Sequence, residues 1–142
     1  MEKIDFHFNV GDRLGYVCAV AKKMGTLGKR MAVWSTDRAR LDALDRLLWT
    51  REPRSFLAHS RAGDPAEAHA PIVLSESLPS LKADVLVLLD DDLPEDWGTE
   101  FGRFERIIDV VGDEEAERAA SRVRWRAYKA ASVKVDAFDR KR

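Results

Sequence analysis

Apolar and polar residues alternate along residues 3 to 9, "KIDFHFN", with Ile4, Phe6 and Phe8 on one side, and this period of two predicts a strand. Asp12 can cap a following helix in which Leu14, Val17, Cys18, Ala21 and Met24 recur at helical spacing, until Gly25 and Gly28 end it. A second strand is expected in "RMAVWS". Ser35 or Asp37 then caps a helix with Leu41, Leu44, Leu47 and Leu48 as its apolar stripe, reaching Trp49. From Thr50 to Ala70 the chain carries Pro53, Gly63 and Pro65 and no sustained period, which reads as a long ordered loop or a strand with loops. "APIVLS" and "ADVLVLLD" are short, uninterrupted apolar runs suited to strands covered on both faces. "LPEDWGTEFGRF" predicts a turn or short helix, "RIIDVV" another buried strand, and Gly112 to Ser132 a last helix whose first turn gathers Asp113, Glu114, Glu115 and Glu117.

Strands alternating with helices imply a single α/β domain over residues 1–135: an open, mostly parallel sheet flanked by helices, joined by right-handed crossovers. Residues 136–142 read as a short polar tail, frayed at its end. The length of 142 residues suits one domain with a sizeable core. Net charge is −1 although 35% of residues are charged, so only a local cluster could argue for nucleic acid or membrane as a partner. The single cysteine, Cys18, cannot close an internal disulfide and falls on a predicted core face, which fits a reducing compartment and an unreactive thiol. No window approaches the about 18 consecutive apolar residues of a membrane span. Nor does the first segment resemble a secretory signal, so a cytoplasmic protein without a membrane partner is expected.

An α/β order invites a search for a phosphate cradle. The first strand-to-helix connection, "NVGDRLG", lacks the close-approach glycines such a cradle needs, and "GTLGKR" has neither the spacing nor the Ser or Thr of a phosphate loop. No cofactor is expected. Asp90, Asp91 and Asp92 follow a buried strand, where α/β enzymes hold metal or acid groups. They would carry the alternative reading of a metal- or nucleotide-dependent enzyme, against a solvated acidic turn. His7, His59 and His69 show no metal-ligand spacing, and His7 alternates away from Phe6 and Phe8 onto a strand surface or edge. Trp49 and Phe56, in "LLWTREPRSFLAH", either fold back on the core or form an exposed apolar patch for a partner.

The last helix raises the sharpest question. On a wheel of about 100° per residue, Ala116, Ala119, Ala120, Val123, Ala127, Ala130 and Ala131 share one face, which predicts the buried side, and Trp125 points away from it. Arg118, Arg122, Arg126 and Lys129 flank Trp125, with no acidic residue from Arg118 to Lys134. An aromatic shelf with guanidinium forks can take an acidic peptide ending in a hydrophobic residue, or single-stranded nucleic acid. An inert solvated face is the third reading.

Taken together, "DFHF", "GKRMAVWS", "LDRLLW" with "SFLAH" shortly after it, "APIVL", "DVLVLL" and "RWRAYK", in this order and spacing, resemble the chi subunit of bacterial DNA polymerase III. The resemblance implies a Rossmann-like fold without a nucleotide site and a non-enzymatic adaptor with two partners. One is the acidic, phenylalanine-ending C-terminal tail of single-stranded DNA-binding protein, so nucleic acid is contacted only indirectly. The other is the psi subunit, which leads to the clamp loader. The family's tail site implies Arg122, Trp125 and Arg126 as binding residues, with Tyr128 and Lys129 close by, and upstream aspartates steered by Lys129 and Arg118 or Arg124. Its psi-facing surface implies Trp49 and Phe56, a surface for which a helicase-like repair protein competes.

Overall fold

The computed structural model describes residues 3–50, 58–64, 70–78 and 81–141. In chain order the elements are β1 (Ile4–Val10), α1 (Arg13–Thr26), β2 (Met31–Trp34), α2 (Arg38–Thr50), β3 (His59–Arg61), β4 (Ile72–Ser75), β5 (Val85–Leu88), the short α3 (Trp97–Glu100) running into a 3-10 turn, β6 (Arg106–Gly112), α4 (Glu115–Ala130) and β7 (Val135–Asp139). The described strands form one sheet in the order β3-β4-β2-β5-β6-β1-β7. Every pairing in it is parallel. The α/β expectation holds, and the sheet is fully parallel within the described residues.

Strand periodicity explains the layers. Met31 and Val33 of β2, Val85 and Val87 of β5, and Ile108 and Val110 of β6 point into one core with α1 and α2. Their neighbours Ala32 and Trp34, Leu86 and Leu88, and Ile107 and Val111 point into a second core with Phe101, Phe104 and Tyr128. Both faces are covered, which is why these strands read as unbroken apolar runs. In β1 the alternation breaks at Asn9, whose φ of 60° lies in the left-handed region. The β1–β6 register shifts there, so Ile4 and Phe6 face the second core while Val10 faces the first.

Two expectations are corrected. Residues 135–139 are the edge strand β7, paired with β1 from Ile4 opposite Val135 to Phe8 opposite Asp139, where a frayed tail was expected. The polar sequence hid this because an edge strand has one solvated side; Lys3 to Asp136 at 2.6 Å and Asn9 to Asp139 at 3.0 Å fasten it. His7, expected at a strand surface or edge, is buried in a strand flanked on both sides. Its ring stacks on Phe138 of β7 at 4.9 Å between centroids, so the burial comes from the strand that was not foreseen.

The His7 tautomer follows from its partners. Tyr16 Oη donates to Nδ1 at 2.5 Å and Arg140 Nε donates to the same nitrogen at 3.3 Å, which leaves the proton on Nε2. Nε2 is buried and has no hydrogen-bond partner among the described residues. Burial first, and the Arg140 charge second, push the imidazole down to about 4 from its ordinary 6.5. The unfolded chain therefore takes up this proton before the folded one does. The stability it supports is complete at neutral pH and declines as pH falls from about 6.5 toward about 4. In urea titrations at about pH 7 and about pH 5, the parent protein is expected to lose more stability than His7→Gln, whose side chain cannot charge. Equal losses would contradict this assignment.

Candidate functional site

In open α/β sheets a ligand crevice forms at the carboxyl ends of neighbouring strands whose connections leave in opposite directions. Here one such place lies between β2, which continues outward to β3, and β5, which continues to β6. The chain closes it with its own side chains. Asp90 accepts from the Thr36 amide at 3.1 Å and hydroxyl at 2.7 Å, and from the Asp91 amide at 2.9 Å. The Asp91 carboxylate lies 3.3 Å from Arg13 and 3.6 Å from Arg40. Arg13 also donates to the Val110 and Asp90 carbonyls, and Arg40 to that of Leu89. Asp92 is exposed. Asp90 and Asp91 are thus bound to internal donors, and among the described residues no three His, Cys, Asp or Glu side chains gather to hold a metal ion.

Helix α4 is rotated relative to the expectation from its alanines. Its buried residues are Ser121, Arg124 and Tyr128, while Val123 is 62% exposed. The cause is Asp109, a fully buried acid on the β6 face that meets the helix. Arg124 grips it bidentately, Nε to Oδ2 and Nη2 to Oδ1 both at 2.9 Å, and Tyr128 Oη donates to Oδ2 at 2.7 Å. The third Arg124 nitrogen reaches the Asp91 carbonyl at 2.7 Å. Burial, followed by the adjacent carboxylate, raises the Tyr128 hydroxyl well above its ordinary value, so it stays a donor. A buried carboxylate without partners would cost far more than a few exposed alanines and one valine, and this difference sets the helix's rotation.

The rotation turns Trp125 partly inward, where it meets Phe6 of β1 edge-on at 5.2 Å and 65°. α4 is anchored over β6, and beside it lies the margin of the sheet at β1 and β7. A recess of about 380 Å³ opens there. Phe6, Phe8, Val111, Ala137 and Trp125 make its apolar lining, with Asn9, Arg118, Ser121 and Arg122 at its polar margin. The volume falls in the range of small-ligand and side-chain pockets. Lys129 holds its ammonium 5.0 Å from the Trp125 ring centre. Arg122 is exposed and lies 3.4 Å from Glu115, a weak surface pair that a stronger anion can displace.

The expected site residues therefore separate. Arg122 and Trp125 border the recess, with Lys129 against Trp125. Arg126 is exposed and outside the recess lining. Tyr128 and Arg124 are corrected: both are buried in the Asp109 network and face no ligand. Phe6 and Phe8, read only as one side of the first strand, are missing from the expected site and line the recess. Far away, Trp49 is 51% exposed at the end of α2, its ring 4.6 Å from that of His59 in the opposite edge strand β3. Trp49 is therefore not folded into the core. Phe56 lies outside the described residues, as does His69.

Fold and groove define a doubly wound α/β protein whose strand crevice is stapled shut and whose open recess runs along its last helix. The chain belongs to the DNA polymerase III chi subunit, HolC, family, whose model matches residues 1–136. It is 28% identical over 122 residues to DNA polymerase III subunit chi of Escherichia coli, covering 84% of this chain and 80% of that one. To the subunit chi of Pseudomonas aeruginosa it is 29% identical over 133 residues, or 91% and 90% of the two chains. To that of Haemophilus influenzae it is 25% identical over 111 residues, 77% and 74%. Family membership makes it an accessory subunit of the polymerase III holoenzyme. Among the described residues no helix is long and apolar enough to cross a membrane.

Removing one member of the Asp109 network leaves a buried charge unpaired. Arg124→Ala or Asp109→Ala is expected to lower unfolding free energy by about 3–5 kcal/mol, whereas Val123→Ser on the outer face stays within about 0.5 kcal/mol. Urea denaturation checks both; the reverse ranking would restore the alanine face as the buried one.

Proposed function

We propose that this chain is a non-catalytic adaptor. In this reading it takes the acidic, phenylalanine-ending tail of single-stranded DNA-binding protein in the α4 recess and connects it, through the psi subunit, to the clamp loader. The observation that carries the reading is the pairing of an aromatic recess, built from Phe6, Phe8 and Trp125, with Arg118 and Arg122 at its margin. An aromatic end residue fills the recess. Its terminal carboxylate leaves Arg122 free to exchange the weak Glu115 contact for a charge-assisted fork. Arg126 and Lys129, on the exposed side of the helix, add only attraction at a distance, which salt screens.

Trp49 supports the second half of the reading. It stands against β3, the edge strand opposite β7, so a psi subunit docked there and a tail docked at α4 would occupy opposite edges of the sheet. An adaptor needs that separation. Single-stranded DNA is then contacted through its binding protein rather than by this chain.

Fluorescence anisotropy of a labelled acidic peptide ending in Asp-Ile-Pro-Phe tests the site. Saturable binding is expected, lost without the final Phe, weakened by added salt, and reduced about tenfold or more by Trp125→Ala or Arg122→Ala. Variants that bind as tightly as the parent would refute the assignment, and displacement of the peptide by oligonucleotide would favour direct single-strand binding. Trp49→Ala is expected to leave peptide affinity unchanged while weakening capture of the psi subunit, with its thermal melt intact.

A further inference from the structure

α4 carries two stripes at helical spacing, out of step with each other by a single position. Ser121, Arg124 and Tyr128 make the buried stripe. Ala116, Ala120, Val123, Ala127 and Ala130 make the other, which is exposed or half-buried. Consecutive residues stand about 100° apart on a helix, so a turn of that size exchanges the two stripes. Polarity alone favours the exchange, since it sends a guanidinium to water and buries a valine among alanines. What opposes it is Asp109. Arg124 and Tyr128 satisfy both of its oxygens, and Arg124 also reaches the Asp91 carbonyl at 2.7 Å. The alanine stripe has no side chain able to donate a hydrogen bond to this carboxylate.

The two settings differ most in what they do with Trp125. With Arg124 inward, Trp125 lies about 100° to one side, toward β1. Its ring meets Phe6 there at 5.2 Å. With Val123 inward, Trp125 would stand about 200° from the sheet, in water, and Arg122 would pass to the other side of the helix. The recess would then lose both its tryptophan wall and the arginine at its margin. The exchanged setting also gives up the packing of Tyr128, so it is the less stable fold, but it leaves Arg124 solvated.

We propose that Asp109, Arg124 and Tyr128 are positioning residues for the tail site: they hold α4 against a competing rotation that buries its alanine stripe, and so assemble Trp125 and Arg122 beside Phe6 without themselves meeting the ligand. This rests on the tail-binding reading of the recess. The requirement is a matched set of groups across the β6–α4 contact rather than charge as such. Buried ion pairs replaced as a set by apolar groups of similar size leave many folds intact, whereas removal of one partner does not.

A thiol reporter reads the rotation without any ligand. In a Val123→Cys background the introduced thiol stands on the exposed stripe and reacts with a water-soluble maleimide, while buried Cys18 reacts only on unfolding and serves as the internal control. Asp109→Val is expected to slow labelling at position 123 about tenfold with Cys18 still protected, and to weaken binding of the Asp-Ile-Pro-Phe-ending peptide about tenfold or more. Adding Arg124→Met and Tyr128→Phe restores a matched contact and is expected to return both readouts to within about threefold of the parent. Tyr128→Phe alone keeps the ring 5.4 Å from that of Trp97 and removes only the hydroxyl. It is expected to move both readouts in the same direction by about threefold, and it serves if Asp109→Val exposes Cys18. Unchanged labelling at position 123 in both single variants would overturn the proposal whatever the peptide does. So would a triple variant that labels like the parent yet fails to bind, since one of the three groups would then be touching the tail. If the parent itself does not bind the peptide, the tail-binding reading falls and the positioning role falls with it.

Discussion

The buried carboxylate of Asp109 decides more of this structure than any other single group. It sits in a strand covered on both faces, where an unpaired charge is prohibitively expensive, and α4 supplies a bidentate guanidinium and a phenol hydroxyl to satisfy it. Those two donors are four residues apart on the helix, so meeting both fixes the helix's rotation about its axis. Trp125, one residue after Arg124, is thereby brought down onto Phe6, and the arginines one and two turns before it are left along the margin of the recess.

The same type of interaction closes the carboxyl ends of β2 and β5. Arg13, Arg40, Asp90, Asp91 and Thr36 bond to one another and to free carbonyls where a nucleotide-binding relative of this architecture would present an empty crevice. The fold retains the crossovers of an α/β enzyme but moves its accessible concavity to the sheet margin. There Phe6 and Phe8 of β1 and Ala137 of β7 line the recess beside α4. A recess at a margin is open to an extended chain, in keeping with a peptide ligand.

Much of the fold was legible because periods of two and of 3.6 survive wherever a face is continuously apolar: β1, α1, α2 and the central strands all appear in the residue pattern. β7 was not legible, since "VDAFD" alternates only weakly and an edge strand needs no second apolar face. The rotation of α4 was misread because the helix carries more apolar alanines and valine outward than inward. The signal that could have corrected it was present. An aspartate inside the apolar run "RIIDVV" demands a cationic partner, and Arg124 with Tyr128 one turn later is a spacing able to supply it. Of the site, the cations and Trp125 could be read from the last helix. Its aromatic floor could not, because the alternation of Phe6 and Phe8 predicts a strand without showing which helix side chains meet it.

The central claim is that a tail peptide enters between α4 and the β1–β7 margin, and the side chain that reports this most directly is the Trp125 indole. In proton–nitrogen correlation spectra of the labelled protein, each of the 4 tryptophans contributes one indole signal. Titration with the Phe-ending acidic peptide is predicted to shift the Trp125 signal and the backbone amides of β7 while leaving buried Trp34 and distant Trp49 in place. Movement of Trp49 with a stationary Trp125 would contradict the account.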